Sequence, residues 1–189
     1  MEITPEWLRT WEAWRRVHQP FERDWWQHAI DNGHYDNVEL NEEIKAIREF
    51  VSPSGNVLDI GCGPRPMFPP CTVIEPLAHE YAKFTPTEWW DGVIVHGQAA
   101  EHRIAGKFDT IVCWNCLDHA IGWKDILVNI RDYAFDLTRI YVATDFHPPF
   151  MGHPGFSREE FDQAIDELFE IVEKREPFFR DIALRLRRR

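Results

Sequence analysis

Asn56-Val57-Leu58-Asp59-Ile60-Gly61-Cys62-Gly63-Pro64 decides how the rest of this chain is read. Val57, Leu58 and Ile60 form a short apolar run between the breaker Ser52-Pro53-Ser54-Gly55 and a glycine turn, the pattern of a strand buried on both faces of a sheet. A strand that runs straight into such a turn offers its carboxyl end to a ligand. Glycines at 61 and 63 let the backbone approach a bound molecule where a Cβ would collide, and Asp59 places acceptor oxygens at the strand end. Sixteen residues past Asp59, Glu75 closes the next apolar run, Cys71 to Glu75, where its carboxylate can bridge a ribose diol.

Outward from this unit, the pattern alternates short strands with helical stretches. Val93 to Val95, Thr110 to Trp114 and Arg139 to Thr144 read as strands. Residues 121 to 135 carry Ile126, Leu127, Ile130 and Tyr133 or Ala134 at helical spacing, which predicts a crossover helix and hence parallel neighbours. Ser157 with Glu160 forms a capping box ahead of a helix whose buried stripe is Phe161, Ile165, Leu168 and Phe169. Glu170 to Arg175 and Asp181 to Leu186 supply two last strands. Upstream, Trp7, Trp11, Trp14 and Val17 or His18 share one helix face. A second helix is predicted to begin near Pro20, with Phe21, Trp25, Trp26, His28 and Ile30. A third runs through Val38, Leu40, Ile44, Ile47 and Phe50. Residues 1–50 thus read as a helical cap or lid, and 51–189 as an α/β domain, together one compact unit.

With Asp-x-Gly-x-Gly and the following strand-end glutamate in place, residues 50 to 187 resemble the class I S-adenosylmethionine-dependent methyltransferases. The resemblance implies a Rossmann-like, seven-stranded, mostly parallel sheet with flanking helices, and S-adenosyl-L-methionine as cofactor. Asp59, Gly61 and Gly63, with Cys62 between them, would form the first cofactor turn, and Glu75 would hold the ribose hydroxyls. Gln98 and Ala99 would meet the adenine, Asn115 and Cys116 the methionine end. The chain departs from the family where Arg65 or Pro66 replaces a third glycine and where prolines 64, 66, 69 and 70 crowd the first crossover, so that helix is expected to be shortened or displaced. The Asn-Pro-Pro-Tyr motif of amino-methylating nucleic-acid enzymes is absent, and Trp114-Asn115-Cys116-Leu117 stands in its place.

Methyl transfer from a sulfonium needs alignment first and, for a hydroxyl or ammonium acceptor, a group to take the proton. His119 and His147, each after a strand, are the candidate bases. Trp26, Tyr35, Asp118 and His153 are expected on the acceptor side, with the N-terminal aromatics either a lid or simply core. Asp118, Asp145 and His147 could collect a cation but read as strand-end caps, so no metal is expected.

The composition bounds the partners. A chain of 189 residues with nine Trp, thirteen Phe and a net charge of −11 has material for a core and is repelled by phosphate backbones. Arg180, Arg185, Arg187, Arg188 and Arg189 are read as a solvated basic tail. The four cysteines read as reduced thiols, and Cys113-x-x-Cys116 has no second pair at zinc spacing. No apolar run is long enough for a membrane span, so a cytoplasmic monomer or homodimer is expected. The expected activity is methyl transfer to a small-molecule or saccharide acceptor at oxygen. The alternatives are an RNA or DNA methyltransferase and a catalytically silent cofactor-binding subunit.

Overall fold

The computed structural model describes residues 5–33, 42–149, 153–176, 178 and 180–189, with the backbone alone at 5–15, 17, 42 and 43. Two helices, α1 (Pro5–Asp31) and α2 (Glu42–Phe50), precede the sheet. Strands β1 (Val57–Ile60) and β2 (Thr72–Ile74) follow, then the short helix α3 (Ala78–Tyr81), β3 (Ile94–His96) and β4 (Phe108–Trp114). Helix α4 (Trp123–Tyr133), β5 (Ala134–Thr144), α5 (Arg158–Leu168), β6 (Phe169–Arg175) and β7 (Ile182–Arg188) complete the chain. The seven strands lie in the order β3-β2-β1-β4-β5-β7-β6. β1 to β5 pair in parallel, and β7 runs antiparallel to both β5 and β6. The chain therefore reverses its march across the sheet between β1 and β4, the crevice where open α/β sheets bind ligands.

Both faces of the sheet are buried, and the strands divide their side chains between them. Ile111 and Cys113 of β4 and Ile140 and Val142 of β5 join the core under α4 and α5. Val112, Trp114, Tyr141 and Ala143, the alternating residues, join Ile47, Phe50 and Val51 on the α2 side. This explains why the strands read as nearly continuous apolar runs. The α5 cap forms as expected: Ser157 Oγ accepts from Glu160 N at 3.2 Å and the Ser157 N–H donates to the Glu160 carboxylate at 3.0 Å.

The structure departs from the sequence expectations at several points. α1 does not restart at Pro20 but passes through it as one 27-residue helix. Pro20 is exposed, so the carbonyl that loses its helical partner faces water. The helix predicted to reach Phe135 stops at Tyr133, and β5 begins at the next residue, because Thr138 Oγ1 ties Phe135 N at 2.7 Å and donates to Phe108 O at 2.6 Å. α5 likewise passes into β6 with no residue between Leu168 and Phe169. The first crossover has no helix at all: the proline-rich residues 61–71 run as turns and bends. Finally, Arg185, Arg187 and Arg188 belong to β7, with Arg180 just before it and Arg189 just after it, rather than to a tail. Arg187 pairs with Glu170 at 2.6 Å, Arg185 with Glu173 at 3.5 Å, and Arg188 donates to Ala134 O at 3.2 Å. Tyr35, Val38 and Leu40 lie outside the described residues, and Trp7, Trp11 and Trp14 are described by backbone alone. Among the described residues no helix is long and apolar enough to cross a membrane.

Candidate active site

A cavity of about 410 Å³ opens over the carboxyl ends of β1, β2 and β4. α1 forms its opposite wall through His18, Gln19, Phe21, Glu22, Trp25 and Trp26. The floor is the β1 turn. Gly61 and Gly63 have φ of +67° and +62°, and a Cβ on Gly61 would lie 2.3 Å from the Cβ of Cys116. Only glycine fits the first position on grounds of space and conformation together. At Gly63 the nearest atom to an added Cβ is Trp26 Cζ2 at 3.9 Å, so conformation alone selects glycine there.

Glu75 is buried at one end of the cavity. Its Oε2 accepts from Gly63 N at 3.1 Å and its Oε1 from Leu77 N at 2.9 Å. Burial still outweighs these bonds and pushes its carboxyl up to about 7. Asp59 is buried beneath the turn, where Oδ2 accepts from Met67 N at 3.1 Å and burial raises its carboxyl to about 6. Asp59 and Cys62 line a smaller adjoining cavity of about 130 Å³ rather than the main one, and Gly61, Gly63, Asn115 and Arg180 line both. Asn115 adopts φ +52°, and its buried Oδ1 has no hydrogen-bond partner among the described residues. Cys116 backs Gly61, its Sγ 2.9 Å from that of Cys113, and both are free thiols. Ala99, Ala100 and Glu101 line the cavity, whereas the Gln98 amide turns away to donate to His102 O at 3.0 Å.

The cavity also gathers histidines from three parts of the chain, His18, His119 and His153. His119 Nδ1 lies 2.9 Å from Glu22 Oε1 and its Nε2 lies 3.3 Å from Asp118 Oδ2. Burial opposes charge on His119, but the bond to Glu22 and the Asp118 and Glu22 carboxylates outweigh it, and its pKa is raised. His153 packs 4.1 Å from the His119 ring and 4.5 Å from the His18 ring, and burial with those two neighbours lowers its pKa to about 4. His147 does not line the cavity; its Nε2 faces Asp118 Oδ2 at 3.4 Å, so this carboxylate stands between the two histidines read as bases. Asp145, also considered at the strand ends, is taken up by Arg180 at 3.1 Å and by Asp181 N at 2.9 Å. The residues not singled out from sequence are Glu22, Arg180 and the cavity-facing role of His18. Only the i, i+4 spacing of His18 and Glu22 hinted that both share one helix face.

The family model described as a methyltransferase domain matches residues 33–164. The chain belongs to this methyltransferase family. No curated protein matches the sequence. Among solved structures, this methyltransferase resembles a TehB-like S-adenosylmethionine-dependent methyltransferase of Corynebacterium glutamicum, at 15% identity and a TM-score of 0.67, covering 90% of this chain and 100% of the other. It also resembles the 1,6-didemethyltoxoflavin N1-methyltransferase of Burkholderia thailandensis, at 13% identity and TM-score 0.61, with 90% and 88% covered. A third is the mitomycin 7-O-methyltransferase, at 14% identity and TM-score 0.59, with 98% and 69% covered. At these identities the likeness establishes the fold, which is that of the S-adenosylmethionine-dependent methyltransferases.

Proposed function

We propose that this methyltransferase moves a methyl group from S-adenosylmethionine to a hydroxyl of a small molecule or sugar. The observation that carries the reading is one cavity lined by the Glu75 carboxylate, the Glu22–His119 pair and the aromatic face of α1. The cofactor would supply a sulfonium-bound methyl, and the residues here would hold an acceptor oxygen in line with it, so that the C–O bond forms as the C–S bond breaks and S-adenosylhomocysteine leaves.

The residues fit that cofactor. Glu75, already fixed by Gly63 and Leu77, retains lone pairs for two ribose hydroxyls. The orphaned Asn115 Oδ1 suits the cofactor's ammonium, and Gly61 and Gly63 leave the backbone bare for the methionine tail. Ala99 and Ala100 give the adenine a flat wall without side-chain bulk. Asp59 and Cys62 hold the turn from below, as positioning residues.

At the acceptor end, Trp26, with half-exposed Trp25 and Phe21, offers aromatic faces to a ring or sugar and sheds water from the reacting atoms. His119 and Glu22, 2.9 Å apart, form the pair that can take up the hydroxyl's proton, with Asp118 at the other ring nitrogen of His119. Asp118 orients His119 and His147 from behind, and His153 fills the remaining side. Methyl transfer to oxygen requires that proton to leave, and this paired cluster supplies a place for it. The pairing of Arg185 with Glu173 and Arg187 with Glu170 supports a small-molecule acceptor over a nucleic acid.

Incubating the full chain with S-adenosylmethionine and panels of hydroxylated small molecules and sugars, matched amines, and RNA and DNA oligonucleotides tests the reading by mass spectrometry. Methyl ethers and S-adenosylhomocysteine are the expected products. Methylated amines alone would overturn the oxygen assignment, methylated oligonucleotides the small-molecule assignment, and cofactor binding without any turnover the enzymatic role.

A further inference from the structure

We propose that His18, Glu22, His119 and His153 form a binding site for a single divalent transition-metal ion of the zinc type, at the seam between α1 and the strand-end loops. Each offers one ligand atom, and these atoms all lie within 4.8 Å of one another. A tetrahedral site with bonds of about 2.1 Å spaces its ligand atoms roughly 3.4 Å apart. Two of the spacings here, Glu22 Oε1 to His119 Nδ1 at 2.9 Å and to His18 Nε2 at 3.5 Å, already bracket that value. The remaining spacings lie within 4.8 Å.

The donor set has a chemical preference. Three imidazoles and one carboxylate suit zinc, cobalt, nickel or iron(II), whereas magnesium and calcium prefer oxygen shells. The second observation is the carboxylate behind the ligands. If His119 binds through Nδ1, its Nε2–H is left to donate to Asp118 Oδ2, at 3.3 Å. Asp118 is buried and is itself fixed, Oδ1 accepting from Thr144 Oγ1 at 3.2 Å. A buried carboxylate that sets the tautomer of a ligating histidine is the usual outer support of a zinc site. Asp118 thus serves as a positioning residue for the ion. The ion would displace the proton that His119 and Glu22 now share, so the same cluster holds a proton or a cation, not both.

All four ligands line the main cavity, so the ion would face the acceptor while fastening α1 to the loops after β4 and before α5. The site goes beyond the methyl-transfer reading, and because the ion engages Glu22 and His119 it would replace the proton that this pair otherwise takes up. From sequence, Asp118, Asp145 and His147 and the Cys113-x-x-Cys116 pair are the visible metal candidates; His18 and Glu22 join His119 and His153 only through the packing of α1.

The test uses the full chain stripped by a chelator, titrated with Zn²⁺ by calorimetry and with Co²⁺ by visible absorption. One ion per chain, an intense four-coordinate Co²⁺ spectrum and a raised melting temperature are expected. His18→Asn, Glu22→Gln and His119→Asn should each weaken Zn²⁺ roughly tenfold or more, and Asp118→Asn about ten- to a hundredfold. His147→Asn should leave it unchanged. Circular dichroism and S-adenosylmethionine affinity of each variant verify folding. No saturable binding, or equal binding by wild type and the three ligand variants, overturns the site. Loss on His147→Asn with His18→Asn unaffected also overturns it, moving the ion to Asp118, His147 and His153. Cofactor binding by a chain that takes no metal would sink this inference and leave the methyltransferase reading standing; metal binding without cofactor affinity would do the reverse.

Discussion

Glu75 Oε2 accepts the backbone N–H of Gly63 at 3.1 Å, so the carboxylate at the tip of β2 and the glycine turn after β1 are locked together before any ligand arrives. Folding has already fixed the two strand ends that a nucleoside would span, and affinity here depends on the ionisation of one buried carboxyl.

That carboxyl rises from an ordinary value near 4.5 up to about 7, through burial and through the nearby Glu22 and Asp59 charges. Between these values the folded chain holds a proton that the unfolded chain has lost, so this contribution to stability falls as pH rises from 4.5 through 7. Cofactor affinity should move oppositely, tightening by up to about tenfold per pH unit below the folded pKa as the ribose-binding form ionises. Calorimetry between pH 6 and 8 checks this, and Glu75→Gln should flatten the profile.

Gly61→Ala places a methyl 2.3 Å from Cys116 Cβ at a positive φ, whereas Gly63→Ala meets only the conformational penalty. Urea denaturation should show the first losing more than the second, which is expected to lose about 1 to 2 kcal/mol. Equal losses would contradict the packing.

Asn115→Gly keeps access to the positive φ and removes the buried amide. Cofactor binding should weaken by about 1.5 to 3 kcal/mol, roughly ten- to a hundredfold. Fluorescence titration of the folded variant would decide it.

Ser157→Ala removes the α5 cap at a distance from the cavity. Thermal unfolding should report a loss of about 1 kcal/mol, with cofactor affinity unaltered.

The β1 turn, Glu75 and the parallel strands were legible because local chemistry dictates them: apolar runs buried on both faces, and glycines where a backbone bends into φ above zero. The continuity of α1 through Pro20 was not legible, since proline's local signal is a helix start and only its exposure shows why the helix survives. Glu22 was invisible for a different reason. Its significance lies in contacts with His119, almost a hundred positions away, that no periodicity encodes. Gln98 carried the right residue type at the right place, yet its amide found a nearer carbonyl in His102.

The abrupt passages from Tyr133 to Ala134 and from Leu168 to Phe169 leave no slack at the end of the sheet opposite the cavity. An inserted residue there would slip a strand and turn its inward side chains outward. The segments after β4 and β5 carry no such constraint. Natural variation in this lineage should therefore accumulate as length changes at one pole only, and new acceptor preferences should evolve by lengthening those two loops while the opposite pole stays frozen.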